Sequence, residues 1–270
     1  MFDVLQYSFI QNAFLASFLV AIIAAVVGYF LLIRGLTFAG HALSHIGFAG
    51  AAGAVLIGVD PVVGLLVFTI AAGVGIGILG RVLKERDVTI GIFLTLALAF
   101  GILFLFLYRG YAEQAYSILF GTILGISTLN VIITAIFSFI VLGVLLFLFR
   151  PLLFSSFDPE VAEARGIPVK ALGILFLILV AITVSMSVQV VGVLLIFTLL
   201  VGPAATAMRI VKNPYLAIGI AMLLGIIYSW VGIFIAALTN LPVSFFIATL
   251  SFGTYIIVRM VEPFLQKHYA

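Results

Sequence analysis

Long, uninterrupted runs of apolar residues dominate this chain, and charged residues are confined to the short segments between them. From Phe9 to Ile33, for example, no residue is charged. A helix needs about 20 apolar residues to cross the hydrocarbon core of a bilayer. Charges and turn residues divide the chain into nine apolar segments: 9–33, 40–58, 62–80, 88–108, 129–149, 170–188, 190–208, 215–238 and 243–260. The pattern predicts an all-α protein, a polytopic transmembrane helical bundle of about nine spans.

The composition excludes a water-soluble domain. Hydrophobic residues make up 66% of the 270 residues and charged residues only 8%, whereas about 25% of a soluble domain is charged. The first apolar run is longer than that of a signal peptide, and no basic residue precedes Arg34, so we expect a retained span. The chain contains no cysteine, which excludes disulfides and thiolate metal sites. A net charge of +3 gives no reason to expect a nucleic-acid partner.

The distribution of basic residues predicts the orientation in the membrane. If the N-terminus lies outside and nine spans alternate, Arg109 lies outside and the other basic residues lie on the cytoplasmic side, where they are favoured: Arg34, Arg81, Lys84, Arg86, Arg150, Arg165, Lys170, Arg209, Lys212, Arg259 and Lys267. This predicts an N-out, C-in arrangement of a single domain, 1–270. The apolar segment 114–127 is too short to span and is interpreted as an outer helix or re-entrant piece. Depending on it, eight or ten spans remain alternatives.

The longest polar stretch on the predicted cytoplasmic side is the loop 150–169. Helix start and stop signals follow one another across its centre: Asp158, Pro159, Glu160, Glu163, Arg165 and Gly166. The aspartate is a good N-cap and the proline suits the first helical position. The two glutamates favour the positive end of the helix dipole, and the arginine and glycine suit its end. A helix of about two turns needs a packing partner. It is either a docking helix for a cytoplasmic protein or a connector on the membrane surface.

Two histidines lie inside an apolar segment. His41 and His45 are four residues apart and therefore share one helix face, and Ser44 lines the same region. Ionisable groups within a membrane are costly and usually face a pathway or a partner. Neutral imidazole is a common metal ligand, but zinc takes four ligands, which a two-fold dimer of this face would supply. Metal or proton handling is the functional hypothesis. Hydrogen bonding to carbonyls of neighbouring helices is the alternative.

A second feature within the apolar segments is a predicted helix break. Gly202 and Pro203 interrupt the apolar segment 190–210, and proline removes a backbone donor and kinks a helix. Such breaks line the substrate pathway in some transporters, although a kink that serves packing alone is the alternative. No phosphate-binding loop and no catalytic Ser/His/Asp arrangement occurs in the sequence. We therefore expect no enzyme, and any ATP hydrolysis must occur in a separate partner chain.

Three stretches together resemble the membrane subunits of zinc/manganese ABC importers. They are RGLTFAGHALSHIGFAG (34–50), SFDPEVAEARGIPV (156–169), which resembles the coupling helix of that family, and VGVLLIFTLLVGPAATA (191–207). The resemblance implies a homodimeric pore in a prokaryotic cell membrane. It also implies two cytoplasmic ABC ATPase subunits, an extracytoplasmic metal-binding protein and alternating access. His45 matches the histidine of the family, and His41 occupies the position of its aspartate.

The function predicted from the sequence is that of a permease subunit of an ABC importer for a divalent transition metal. Replacing a carboxylate by the imidazole of His41 favours zinc over manganese. The metal is then the transported substrate and not a permanently bound cofactor. Two alternatives remain open. One is an ABC permease for chelated iron, haem or cobalamin, and the other is an ion-coupled secondary transporter with the histidines as a proton relay.

Overall fold

The computed structural model describes residues 7–82, 86–108, 125–239 and 241–266. These residues form eleven helices and no β-strand: α1 (Ser8–Ile33), α2 (Thr37–Leu56), α3 (Pro61–Val82), α4 (Arg86–Leu107), α5 (Thr128–Phe147), α6 (Phe149–Phe157), α7 (Pro159–Ala164), α8 (Val169–Val191), α9 (Val193–Ile210), α10 (Pro214–Thr239) and α11 (Val243–Gln266). The prediction of an all-α fold is therefore confirmed. Most of the outer segment 114–127, together with Arg109, Lys84 and Lys267, falls outside the described residues.

Each of the nine predicted apolar segments corresponds to one long helix. By length and composition, seven of the described helices can cross a membrane: α1, α3, α4, α5, α8, α10 and α11. The other two long helices are α2, which carries the histidine pair, and α9, which carries Gly202 and Pro203. A protein with several membrane-spanning helices is thus established. Nine spans and the N-out, C-in orientation stay predictions.

The helices pack as two groups joined by α1 and α8. Helices α2, α3 and α4 contact one another, as do α9, α10 and α11. Helix α8 packs mainly against α3, and α1 packs against α9 and α10, while α1 and α8 also contact each other. The buried residues of α1 include several small ones, such as Ala13, Ala16 and Ala24. Helix α2 bridges the two groups because it also contacts α9.

Glycines set the closest approaches between helices. A Cβ atom built on Gly28 of α1 would lie 1.7 Å from the carbonyl oxygen of Leu200 in α9. Gly50 of α2 and Gly64 of α3 face each other in the same way, with a built Cβ on either one about 2 Å from the other's carbonyl oxygen. Such small residues let helix backbones pack closely where lipid gives no hydrophobic drive for association. These contacts fix α2 and α9, the two helices of the candidate site.

The loop 150–169 is more helical than the sequence predicts. Helix α5 ends at Phe147, and α6 begins at Phe149 after an interruption at Leu148. Pro151 accounts for the interruption, because its nitrogen cannot donate to the carbonyl of Phe147 four residues earlier. The proline falls in the first turn of α6, where its missing N–H is tolerated. Helix α6 therefore leads directly into the short helix α7.

Candidate functional site

His41 and His45 form a contacting pair on α2. Their ring centroids lie 4.7 Å apart and the rings meet edge to face at 75°. Both side chains are half-buried in the single chain, so this face of α2 retains some exposure. Ser44 is fully buried, and its hydroxyl donates to the carbonyl oxygen of Gly40 at 3.0 Å. Its single hydrogen is thus used within α2, whereas the two imidazoles are available to a ligand.

Phe197 of α9 packs against the histidine pair. Its ring centroid lies 5.0 Å from that of His41, with the planes at 69°. An edge-to-face contact of this kind holds the orientation of the imidazole and covers one side of it with an apolar surface. No sequence motif marks Phe197, because its contact with His41 joins residues far apart in the chain.

The described part of one chain does not contain a complete metal site. It holds no cluster of three or more His, Cys, Asp or Glu side chains that could bind a metal ion. The pair on α2 offers two imidazoles, and a tetrahedral zinc site takes four ligands. Within the described residues, the pair by itself therefore offers a cation two nitrogen ligands and no third one.

The helix break predicted at Gly202 and Pro203 is wrong. Helix α9 runs from Val193 to Ile210 with Pro203 inside it. A proline removes one backbone donor, and this helix is held by its neighbours: Gly202 packs directly on Ser251 of α11. The break in the chain falls instead at Gly192, which separates α8 from α9. Its φ of 84° and ψ of 162° are essentially restricted to glycine.

The helix predicted in the loop 150–169 is confirmed as α7. The carboxylate of Asp158 accepts from the backbone N–H of Val161 at 3.0 Å, and Pro159 occupies the first helical position. Gly166, with φ of 80°, ends the helix, since the N–H of Ile167 then reaches the carbonyl of Ala162 at 3.0 Å. The six residues of α7 are thus bounded by side-chain and backbone caps, as the sequence indicates.

Helix α7 is attached to the bundle on one side and open on the other. Ala162 is fully buried, and the guanidinium of Arg165 lies 5.5 Å from the ring centroid of Phe154 in α6. Glu160, Val161 and Glu163 are exposed. The open side therefore presents an apolar side chain between two carboxylates. A short helix held this way is suited to contact a second protein.

The fold and the site define a polytopic membrane protein with a half-buried pair of imidazoles on α2 and a capped surface helix. Comparison with known proteins agrees with this class. The model of the ABC 3 transport family matches residues 6–262. The chain therefore belongs to that family, and it is the multi-pass membrane subunit, or permease, of an ABC transporter and not an enzyme.

Relatives match across nearly the whole chain. The manganese transport system membrane protein MntC of Halalkalibacterium halodurans is 32% identical over 87% of this chain and 81% of its own. The manganese import system permease protein ScaB of Streptococcus parasanguinis is 31% identical over 97% of this chain and 94% of its own. The solved structure of PsaBC from Streptococcus pneumoniae in complex with Fab aligns with a TM-score of 0.85 at 31% identity, covering 95% of this chain and 93% of that chain.

Proposed function

We propose that this permease imports a divalent transition-metal ion, zinc or manganese, into the cytoplasm by alternating access. The observation that carries the proposal is the contact between His41 and His45 on α2, within the helical bundle and beside Phe197 of α9. Ionisable side chains at such a position are expensive and are retained for function. The manganese systems named for its relatives support a metal as the cargo.

Within this proposal zinc is the preferred ion. Manganese favours carboxylate oxygen, and imidazole suits zinc. The pair His41 and His45 offers two nitrogen ligands, and no acidic side chain joins them in a metal-binding cluster within the described residues. A dimer of two copies with this face on the axis would supply four imidazoles, which matches the ligand number of zinc. A homodimer thus accounts for the partial exposure of the pair in one chain.

The proposal also includes the arrangement of the chain in the membrane and its partners. Residues 1–270 form one permease domain of nine spans, N-out and C-in, in which α2 and α9 are the two central spans. Gly202 and Pro203 lie on α9 beside the pathway, and Ser44 lies on the same helix as the histidines. The segment from Asp158 to Gly166 docks a cytoplasmic ATPase subunit, and the outer loops receive an extracytoplasmic metal-binding protein.

The test is metal uptake by the complete transporter. The chain is reconstituted in liposomes with its ATPase and its binding protein, and initial uptake of Zn²⁺ and Mn²⁺ is measured with and without ATP. We expect ATP-dependent zinc uptake that collapses in His41→Ala and in His45→Ala while both complexes still assemble. His268→Ala is the matched control, since it removes the third histidine of the sequence. Uptake of neither ion, or uptake that both α2 substitutions leave intact, would contradict the proposal.

A further inference from the structure

Arg34 joins the corner between α1 and α2 to the segment that carries α7. It follows the last residue of α1, and α2 begins at Thr37. Its Nη1 donates to the hydroxyl oxygens of both Ser155 and Ser156, at 3.2 Å each. The guanidinium carbon also lies 5.6 Å from the ring centroid of Phe176 in α8. One side chain therefore contacts two helices, α6 and α8.

The two serines are oriented to accept these hydrogen bonds. The hydroxyls of Ser155 and Ser156 both donate to the carbonyl oxygen of Leu152, at 3.1 and 2.6 Å. Their lone pairs are thereby left for an external donor. Both bonds come from one nitrogen, and a lysine ammonium could make them in part, but it does not reproduce the stacking of a planar guanidinium on the ring of Phe176. The last turn of α6, directly before Asp158 and α7, is thus held by Arg34.

A second contact, one turn earlier on α1, reinforces the first. The ring of Phe30 packs edge to face on Phe149 at the start of α6, with centroids 5.4 Å apart. The same ring lies 6.1 Å from Phe176, and Phe30 is fully buried. The end of α1, with Arg34 directly after it, therefore contacts α6 near the start of α6 and near its end. A displacement of α6 must carry the end of α1 with it, because packed interiors do not deform continuously.

The placement of the corner links the surface helix to the histidine pair. Helix α7 lies between α6 and α8 in the chain, and Arg34 contacts both of these flanking helices. On its other side, Arg34 is separated from α2 by Gly35, whose φ is 64°, and by the buried Leu36. His41 and His45 follow on α2. Chain connections and the contacts of Arg34 therefore link α7 to α2, the helix that carries the histidine pair.

We propose that Arg34 is a positioning residue that transmits movement of the ATPase-bound helix α7 to the histidine pair on α2. The inference rests on the proposed function and extends it by naming the side chain through which the two sites communicate. Loss of the Arg34 contacts leaves α7 docked and ATP hydrolysis running, while α2 no longer follows. Coupling between two sites of a protein commonly amounts to fivefold or more.

The experiment measures metal ions imported per ATP hydrolysed, using Zn²⁺ or Mn²⁺, whichever the wild-type complex transports. Arg34→Gln is expected to lower this ratio by about fivefold or more, with ATPase activity and complex assembly close to wild type. Arg34→Lys is expected to lower it less, since the charge and N–H donors remain while the planar stacking on Phe176 is lost. The double variant Ser155→Ala with Ser156→Ala removes the acceptors and is expected to resemble Arg34→Lys. Arg150→Gln is the matched control, because Arg150 is an exposed arginine of the same helix, α6.

The outcomes separate this inference from the proposed function. A wild-type complex that transports no metal refutes the proposed function itself. If the wild type transports but Arg34→Gln has an unchanged ratio, the coupling role is wrong. A parallel fall of uptake, ATPase activity and assembled complex shows that Arg34 is only structural. Should Arg34→Gln fail to fold, the double serine variant decides alone, and its unchanged ratio would overturn the inference.

Discussion

Gly28→Ala tests the close approach of α1 to α9, the helix whose Phe197 packs against His41. The added Cβ would lie 1.7 Å from the carbonyl oxygen of Leu200, and real Cβ atoms do not come within 3.0 Å of such an atom. The obstacle is backbone, so the two helices must move apart by more than 1 Å. Overpacking of this kind costs about 1–3 kcal/mol, which lowers Tm by roughly 2–12 °C for a chain of this size. Phe197 lies one turn before Leu200, so uptake is expected to fall as well.

Thermal unfolding of the purified protein in detergent measures this effect. Gly143→Ala in α5 is the matched control, since apart from the nearby backbone of α5 itself no described atom lies within 4 Å of a Cβ built there. The control is expected to keep its Tm or raise it slightly, because alanine is the better helix former. If Gly28→Ala and Gly143→Ala unfold at the wild-type temperature, the helices do not approach as closely as described, and the reasoning about Phe197 fails with it.

Three further substitutions test other contacts. Gly202→Ala places a Cβ 1.9 Å from the Ser251 hydroxyl, a terminal atom that can rotate away, so its Tm is expected to fall less than that of Gly28→Ala. Adding Ser251→Ala should restore the Tm, and a persistent loss would contradict this. Asp158→Ala removes the N-cap of α7 at a cost of about 1 kcal/mol and is expected to weaken co-purification of the ATPase, whereas Asp158→Asn keeps both; equal loss in the two variants would refute the cap. Glu262→Gln breaks the ion pairs of Glu262 with Arg209 at 2.8 Å and with Arg259 at 3.3 Å, and it should lower stability only slightly because exposed ion pairs contribute little; a large loss of stability in chemical unfolding would be inconsistent.

The long helices could be predicted from the sequence because apolar runs in a membrane protein have one structural solution. Each of the nine predicted segments corresponds to one long helix, and the caps at Asp158 and Gly166 bound α7 as predicted. Helix α6 was not predicted, since the helix signals named in the loop 150–169 begin only at Asp158. These features depend on residues close together in the chain, where capping and proline rules apply.

The predicted break in α9 failed for a different reason. Pro203 has a local tendency to interrupt a helix, but packing on α11 through Gly202 maintains it. The break at Gly192 was not predicted, because a glycine within an apolar run more often serves packing. The contacts of Phe197 with His41 and of Arg34 with Ser155 join distant parts of the chain, and no periodicity in the sequence reports them.

The histidine pair itself was predictable from its spacing, since residues four apart share one helix face. The geometry adds that the two rings touch and that no cluster of three or more potential metal-ligand side chains forms among the described residues. It also shows that the Ser44 hydroxyl is bonded within its own helix. Under the proposed function, the residue types of His41 and His45 should set the preference among metals.

The most direct test of this account is the metal preference of His41→Asp. Initial uptake of Zn²⁺ and Mn²⁺ is measured for the wild-type transporter and for the variant, each with its ATPase, its binding protein and ATP, at ion concentrations that saturate the binding protein. Replacing an imidazole by a carboxylate favours manganese. We expect the zinc-to-manganese ratio of uptake rates to fall by about tenfold, or ~1.4 kcal/mol. An unchanged ratio in an assembled and active complex would contradict the assignment of His41 and His45 as the metal site.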